Sequence, residues 1–275
     1  MSLYGSEKWI FEESILRRWA YRFLGEVHVP GRLRSYHLLR ALRSLGLFER
    51  PIRMLDAGSG RGDLALHLAR RCPHWQIVGV DADELKIARS NELARRAGLE
   101  NLQFETALLE NLSYREEFDL IVSADVLEHI RDDERVIANF SRALRPRGYI
   151  VITSPSVPQR AHLPLVRWRE KRIGFDPAQY GHVRQGYGPA DLAEKFEAAG
   201  VRMIQSRFTF GFFGTLAFDL FFVIGDNRPH PVVFGLMFPA LMALAAADLF
   251  LPTETGSAIL AVAQRPALVG EERAA

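Results

Sequence analysis

The 275-residue chain contains one cysteine, Cys72. A single thiol closes no internal disulfide and removes cysteine-based metal clusters from consideration, which suits a reducing compartment. Neither sign of charge is in surplus. Thirty-five Lys and Arg against 33 Asp and Glu leave a formal charge of +2, too small to make nucleic acid the expected partner. Internal repeats and low-complexity tracts are missing, which excludes solenoids and disordered arrays. The first residues carry Glu7, Lys8, Glu12 and Glu13 instead of a basic and then apolar leader, so a cytoplasmic protein is expected. No His, Cys and Asp group shows metal-ligand spacing, and no metal is expected. What the chain does have is an ordinary globular composition, 48% hydrophobic and 25% charged, with length enough for a sizeable core.

The apolar residues change period along the chain. Trp9, Ile10, Ile15, Leu16, Trp19 and Phe23, and then Leu38, Leu39, Leu42 and Leu45, recur at helical spacing and predict an N-terminal helical cap over residues 1–50. From Arg53 short apolar runs alternate with amphipathic stretches, the pattern of a parallel sheet with crossover helices. The runs are 53–57, 76–81, 102–105, 118–123 and 149–153, with helices predicted to begin near Gly62, Glu84, Leu108 and Asp132. A connection over 154–187, rich in Pro, Arg and aromatics, leads to a helix opened by Pro189 and ended by Gly200. Runs at 201–208 and 257–263 complete seven strands. Between them lie two very apolar stretches, 210–225 and 232–247, inside an insertion over 210–250; residues 251–275 hold the last strand and a tail.

The sharpest local signal is Leu55-Asp56-Ala57-Gly58-Ser59-Gly60-Arg61-Gly62-Asp63. A strand running through a glycine turn into a helix lets backbone approach a ligand closely and presents free N–H groups to it. The Gly-x-Gly-x-Gly spacing differs from the Gly-x-Gly-x-x-Gly of dinucleotide sites and disfavours NAD. Asp81 ends the next run about twenty residues on, where a carboxylate can accept ribose hydroxyls. The fourth run ends in Ala124-Asp125-Val126-Leu127-Glu128-His129, at the sheet edge where open α/β folds bind ligands.

These elements, with Arg145-Pro146-Arg147-Gly148-Tyr149 before the fifth run, resemble the class I, seven-stranded, Rossmann-like S-adenosylmethionine-dependent methyltransferases, in particular the bacterial small-molecule group. The resemblance covers residues 53–154 and weakens through Gly200. It implies a doubly wound, mostly parallel sheet in a core over 51–209, with S-adenosylmethionine as cofactor and S-adenosylhomocysteine as product. By position, Asp56, Gly58, Ser59, Gly60 and Gly62 would hold the methionine end, Asp81 and Ala82 the ribose side, and Ala124, Asp125, Val126 and Leu127 would line the cofactor. Where relatives place an Asp against adenine, this chain has Glu105-Thr106-Ala107, so Thr106 or backbone of Ala107 would serve.

The same resemblance puts the 154–187 lid and the 210–250 insertion on the cofactor side, which implies a hydrophobic small-molecule or lipid-like acceptor undergoing O- or C-methylation. Tyr180, Arg184, Tyr187, Phe212 and Phe213 are the candidate acceptor contacts, and His182, His129 and Tyr187 the candidate catalytic groups. The apolar stretches leave three readings open: buried helices over the catalytic domain, peripheral membrane contact, or a span, against which Asp219 and Asp248 argue. Competing functions are transfer of another group from the same cofactor, a binding module without catalysis that docks a membrane or protein partner, and a dinucleotide-dependent oxidoreductase.

Overall fold

Five short apolar segments bounded by turns form the parallel part of a sheet: β1 (Arg53–Ala57), β2 (Gln76–Asp81), β3 (Leu102–Thr106), β4 (Phe118–Ala124) and β5 (Leu144–Pro155). With β6 (Arg202–Thr209) and β7 (Ala258–Gln264) they make seven strands in the order β3-β2-β1-β4-β5-β7-β6, β7 running antiparallel to both neighbours. The computed structural model describes residues 4, 14–158, 161–166, 168, 181–224, 231–251 and 253–267.

Period-two alternation divides the strand residues between two layers. Met54, Ile77 and Val122 pack with α2 (Val29–Ser44), α3 (Asp63–Arg71) and α4 (Glu84–Arg96), while their neighbours Leu55, Val78 and Ile121 pack with α5 (Asp133–Ala143) and α6 (Pro189–Ala198). Strand order reverses between β1 and β4, and at that switch point the carboxyl ends of two strands diverge to leave a crevice. A further helix, α1 (Ile15–Leu24), precedes α2.

Two sequence expectations change. The stretch at Leu108 forms only a short turn, Leu109–Asn111, because the Asn139 side chain of α5 donates to the carbonyls of Leu109 and Glu110 at 2.9 Å each and fixes the turn before a helix can extend. Strand β5 starts five residues earlier than Tyr149. Leu144, fully buried, pairs with Phe118, and the register then shifts so that Leu120 faces Tyr149, which leaves the Arg145–Gly148 corner bulging with Arg147 at φ +62°.

The insertion is a helical hairpin, α7 (Phe212–Ile224) and α8 (Pro231–Phe250). Phe221, Phe238 and Leu241 close a third apolar cluster with Val29 and Leu33 of α2. The acids within the two helices, Asp219 and Asp248, are buried and bonded. Asp248 accepts the Gly214 amide at 2.9 Å and meets His37 Nε2 at 2.9 Å, and Asp219 accepts the amides of His162 and Leu163 at 2.6 and 2.8 Å. These bonds hold the hairpin's inner face on the catalytic layer.

Candidate functional site

The glycine turn sits at the switch point. Gly58 has φ +80°, and a Cβ there would lie 2.4 Å from Val126 Cγ2, so only glycine lets the end of β1 pass the end of β4. Around Gly60, also at positive φ, nothing lies within 4 Å of a built Cβ, and its amide donates to Asp81 Oδ2 at 2.8 Å. Asp81 takes the Asp83 amide on its other oxygen at 3.0 Å, so one carboxylate ties the turn to the end of β2. Asp56 is buried next to this turn with its Oδ2 unpartnered, as is Ser59 Oγ. Burial, reinforced by the charges of Asp81 and Asp63, pushes the Asp56 carboxyl up to about 7 despite a bond from the Ala65 amide. Ala82 and Thr106 are exposed at the ends of β2 and β3, and the Ala107 amide donates to the Asp81 carbonyl at 3.1 Å.

The end of β4 supplies a second group of polar side chains. Ala124 closes the strand, and Asp125 adopts a left-handed backbone, φ +53°, that turns its carboxylate toward Thr153 Oγ1 at 3.2 Å and the guanidinium of Arg34. Arg34 belongs to α2, and nothing in its local sequence marks it; only packing of α2 over the sheet edge brings it here. Val126 rests on Gly58, and Leu127 is buried. Glu128 is fully buried, accepts Ser154 Oγ at 3.1 Å on Oε2, and leaves Oε1 unpartnered. Burial and then the charge of Asp125 push its carboxyl up to about 8. His129 Nδ1 lies 3.1 Å from the Gly181 carbonyl, and its ring meets His182 edge-on at 4.5 Å. Burial and the neighbouring His129 lower the His182 pKa, which favours the neutral imidazole.

Tyr187 and Arg184 do not reach toward an acceptor. Tyr187 is fully buried; its hydroxyl donates to Asp133 Oδ2 at 2.6 Å, lies 3.2 Å from the Leu127 carbonyl and receives the Arg184 guanidinium. Arg184 also pairs with Asp133 and donates to the Arg131 carbonyl at 3.0 Å. The expected catalytic or substrate-orienting role gives way to a bracket, because a buried phenol beside an α5 carboxylate is most stable when bonded to it. Burial and Asp133 accordingly raise the Tyr187 pKa far above its ordinary value. The bracket, with the Val183 amide on the Glu128 carbonyl at 2.8 Å, holds His182 over the end of β4. Phe212 stands exposed at the start of α7, its ring 4.7 Å from His162 and 5.3 Å from Phe213. Tyr180 lies outside the described residues.

The site can hold two kinds of ligand. The unpartnered Asp56 oxygen, the clearance at Gly60 and the Asp81 carboxylate fit a cofactor with a cationic amino-acid end and a ribose, as S-adenosylmethionine has. One ligand atom each from Glu128, His129 and His182 lie within 4.8 Å of one another, a trio suited to a divalent cation. The expectation of no metal-ligand grouping is corrected here: His182 is 53 positions beyond His129, so spacing along the chain concealed a cluster that folding assembles.

Comparison with known proteins agrees with this geometry. A family model described as a methyltransferase domain matches residues 49–186, half of the chain. A ubiquinone biosynthesis O-methyltransferase of Aeromonas salmonicida is 26% identical over 198 residues, covering 69% of this chain and 78% of the relative. Its Coxiella burnetii counterpart is 28% identical over 181 residues, covering 63% and 75%. Among solved structures, phosphoethanolamine N-methyltransferase 2 of Haemonchus contortus, in complex with S-adenosyl-L-methionine, superposes with a TM-score of 0.57 at 17% identity over 92% of this chain and 60% of that one, a likeness of fold.

Proposed function

The chain belongs to the methyltransferase domain family, and from that premise we propose that it transfers a methyl group from S-adenosylmethionine to a hydroxyl of a hydrophobic, quinone-like acceptor in the cytoplasm. The observation that carries the reading is the buried, half-partnered Asp56 beside a turn that admits only glycine at Gly58. A carboxylate left unsatisfied in a protein interior is costly unless a ligand completes it. The names of the relatives, ubiquinone biosynthesis O-methyltransferases, support oxygen as the accepting atom and a lipophilic ring as its bearer.

When bound, the cofactor supplies an electrophilic methyl group on a sulfonium, and transfer is an in-line displacement that depends mainly on alignment. Asp56 and the Gly58–Gly60 backbone would hold its methionine end, and Asp81 its ribose hydroxyls. Arg34 pairs with Asp125 at the end of β4, where Asp125 would line the cofactor. His182, kept neutral by its surroundings, accepts the proton that the acceptor hydroxyl releases, and His129 beside it shares the role of relaying that proton to solvent.

A second form of the same reading is favoured by the Glu128–His129–His182 trio. A divalent cation there would lower the pKa of an acceptor hydroxyl and bring the Glu128 carboxyl into its ionised form. Chelation separates the two: activity that survives chelator assigns the base to His182, whereas loss restored by magnesium, manganese or zinc assigns the cation.

The test begins with calorimetric titration of S-adenosylmethionine, S-adenosylhomocysteine and NADH. Micromolar binding of the first two, weakened at least about tenfold in Asp81→Ala, is expected. A screen of lipophilic phenols should then yield a product heavier by one CH₂. Binding of NADH alone would overturn the reading, and cofactor binding without turnover across the screen would favour a non-catalytic binding module.

A further inference from the structure

Two elements that the catalytic reading does not use carry the largest uncovered apolar surface among the described residues. Over its twenty residues α8 has one polar side chain, Asp248. Phe238, Leu241, Ala245 and Asp248 form the stripe that packs inward. The opposite side is equally apolar but bare: Leu236 is 77% and Phe250 80% exposed, with Val232 and Val233 beside them. A helix apolar on all faces is stable when all of them are covered, and here protein covers only one.

The amphipathic α1 shows the same inversion. Ile15, Trp19 and Phe23, at i, i+4 and i+8, form a stripe that faces outward, with Trp19 and Phe23 57% and 59% exposed and their rings stacked 5.1 Å apart. Arg18 and Arg22 accompany the stripe, and α1 contains no acid. The helix joins the hairpin through its C-terminal end. The Leu24 carbonyl receives the Arg32 guanidinium of α2, and the His28 ring of the next turn meets Phe221 of α7 edge-on at 5.0 Å.

We propose that α1 and the outer face of the α7–α8 hairpin form a docking surface for an anionic lipid bilayer. Charge decides for lipid headgroups over another apolar partner. Asp219 and Asp248, the acids within α7 and α8, are buried, so these two helices and α1 expose no carboxylate, while α1 places two arginines next to an exposed tryptophan and phenylalanine. Cation and aromatic side by side on an amphipathic helix is the composition that anchors at the headgroup level. The 19 residues Val232–Phe250 are long enough to cross a bilayer. They lie along it instead, because crossing would break the bonds of Asp248 to His37 and Gly214 and strip the inner stripe from α2. This surface deepens the proposed function, since a lipophilic acceptor partitions into the membrane from which the enzyme would draw it.

Flotation of the full chain with phosphatidylcholine vesicles, and with vesicles containing one quarter phosphatidylglycerol, tests the proposal without acceptor or cofactor. The chain is expected to float with the anionic vesicles and to lose at least about tenfold in partitioning in Trp19→Ser/Phe23→Ser and again in Leu236→Ser/Phe250→Ser. These side chains are exposed, so thermal melts and S-adenosylmethionine affinity should be unchanged, and that titration stands or fails independently of flotation. No flotation, equal flotation on neutral vesicles, or flotation indifferent to both pairs of substitutions overturns the proposal. So does a dimer in size exclusion that the same substitutions disperse, which would assign the surface to a second copy.

Discussion

At the residue scale the chemistry depends on carboxylates held in unusual states. Asp56, pushed up to about 7 by burial, is partly protonated at neutral pH, whereas the cationic end of the cofactor requires its ionised form. A group with a raised pKa gains its charge as pH rises, so affinity for S-adenosylmethionine should tighten between pH 6 and 7.5, by roughly eightfold from the ionised fractions alone. Calorimetry across that range checks it, and Asp56→Asn should bind more weakly with a flat profile. His182 behaves in the opposite sense, being active when deprotonated. Its lowered pKa places the acid limb of the kcat/KM profile below the usual histidine range, and His182→Ala should remove that limb along with most of the rate.

At the element scale the site is assembled by brackets between segments distant in sequence. Arg184, Tyr187 and Lys195 converge on Asp133 at the start of α5 and carry the loop of His182 with them. Tyr187→Phe removes the hydroxyl bond but leaves the arginine and lysine in place. It should cost about 1 kcal/mol of stability and lower kcat without moving the pH profile, the mark of a positioning residue. The hairpin depends on a separate bracket. Asp248→Ala leaves the Gly214 amide and the His37 ring buried without their acceptor, an expected loss of about 1–3 kcal/mol. Hydrogen exchange should show faster opening of α7 and α8 while the strands β1–β5 keep their protection.

At the scale of the whole molecule, one continuous sheet edge places the cofactor turn, the β4 end and the 181–187 loop together, and α2 lies over that edge while also bearing the hairpin. Arg34 and His37 are one helical turn apart on α2, the first on Asp125 and the second on Asp248, so a single helix connects the site with the apolar surface. Ligand binding should therefore stabilise the chain as a unit. Saturation at a hundredfold above Kd is worth about 2.7 kcal/mol and should raise a single cooperative melting transition.

What the sequence determined by itself is whatever depends on local backbone demands. The glycine turn, the strand runs with their terminal acids and the apolar insertion could be read directly, because a turn without Cβ atoms and an alternating buried strand leave their signature within a few residues. The same local rule failed at Leu108, where the outcome rested on an asparagine thirty residues away in α5. Tertiary structure alone decided that Tyr187 is a buried bracket, that Arg34 reaches Asp125, and that His182 joins Glu128 and His129. Those pairings are set by how helices pack on the sheet, and a side chain's partner across such a distance leaves no trace in its own neighbours.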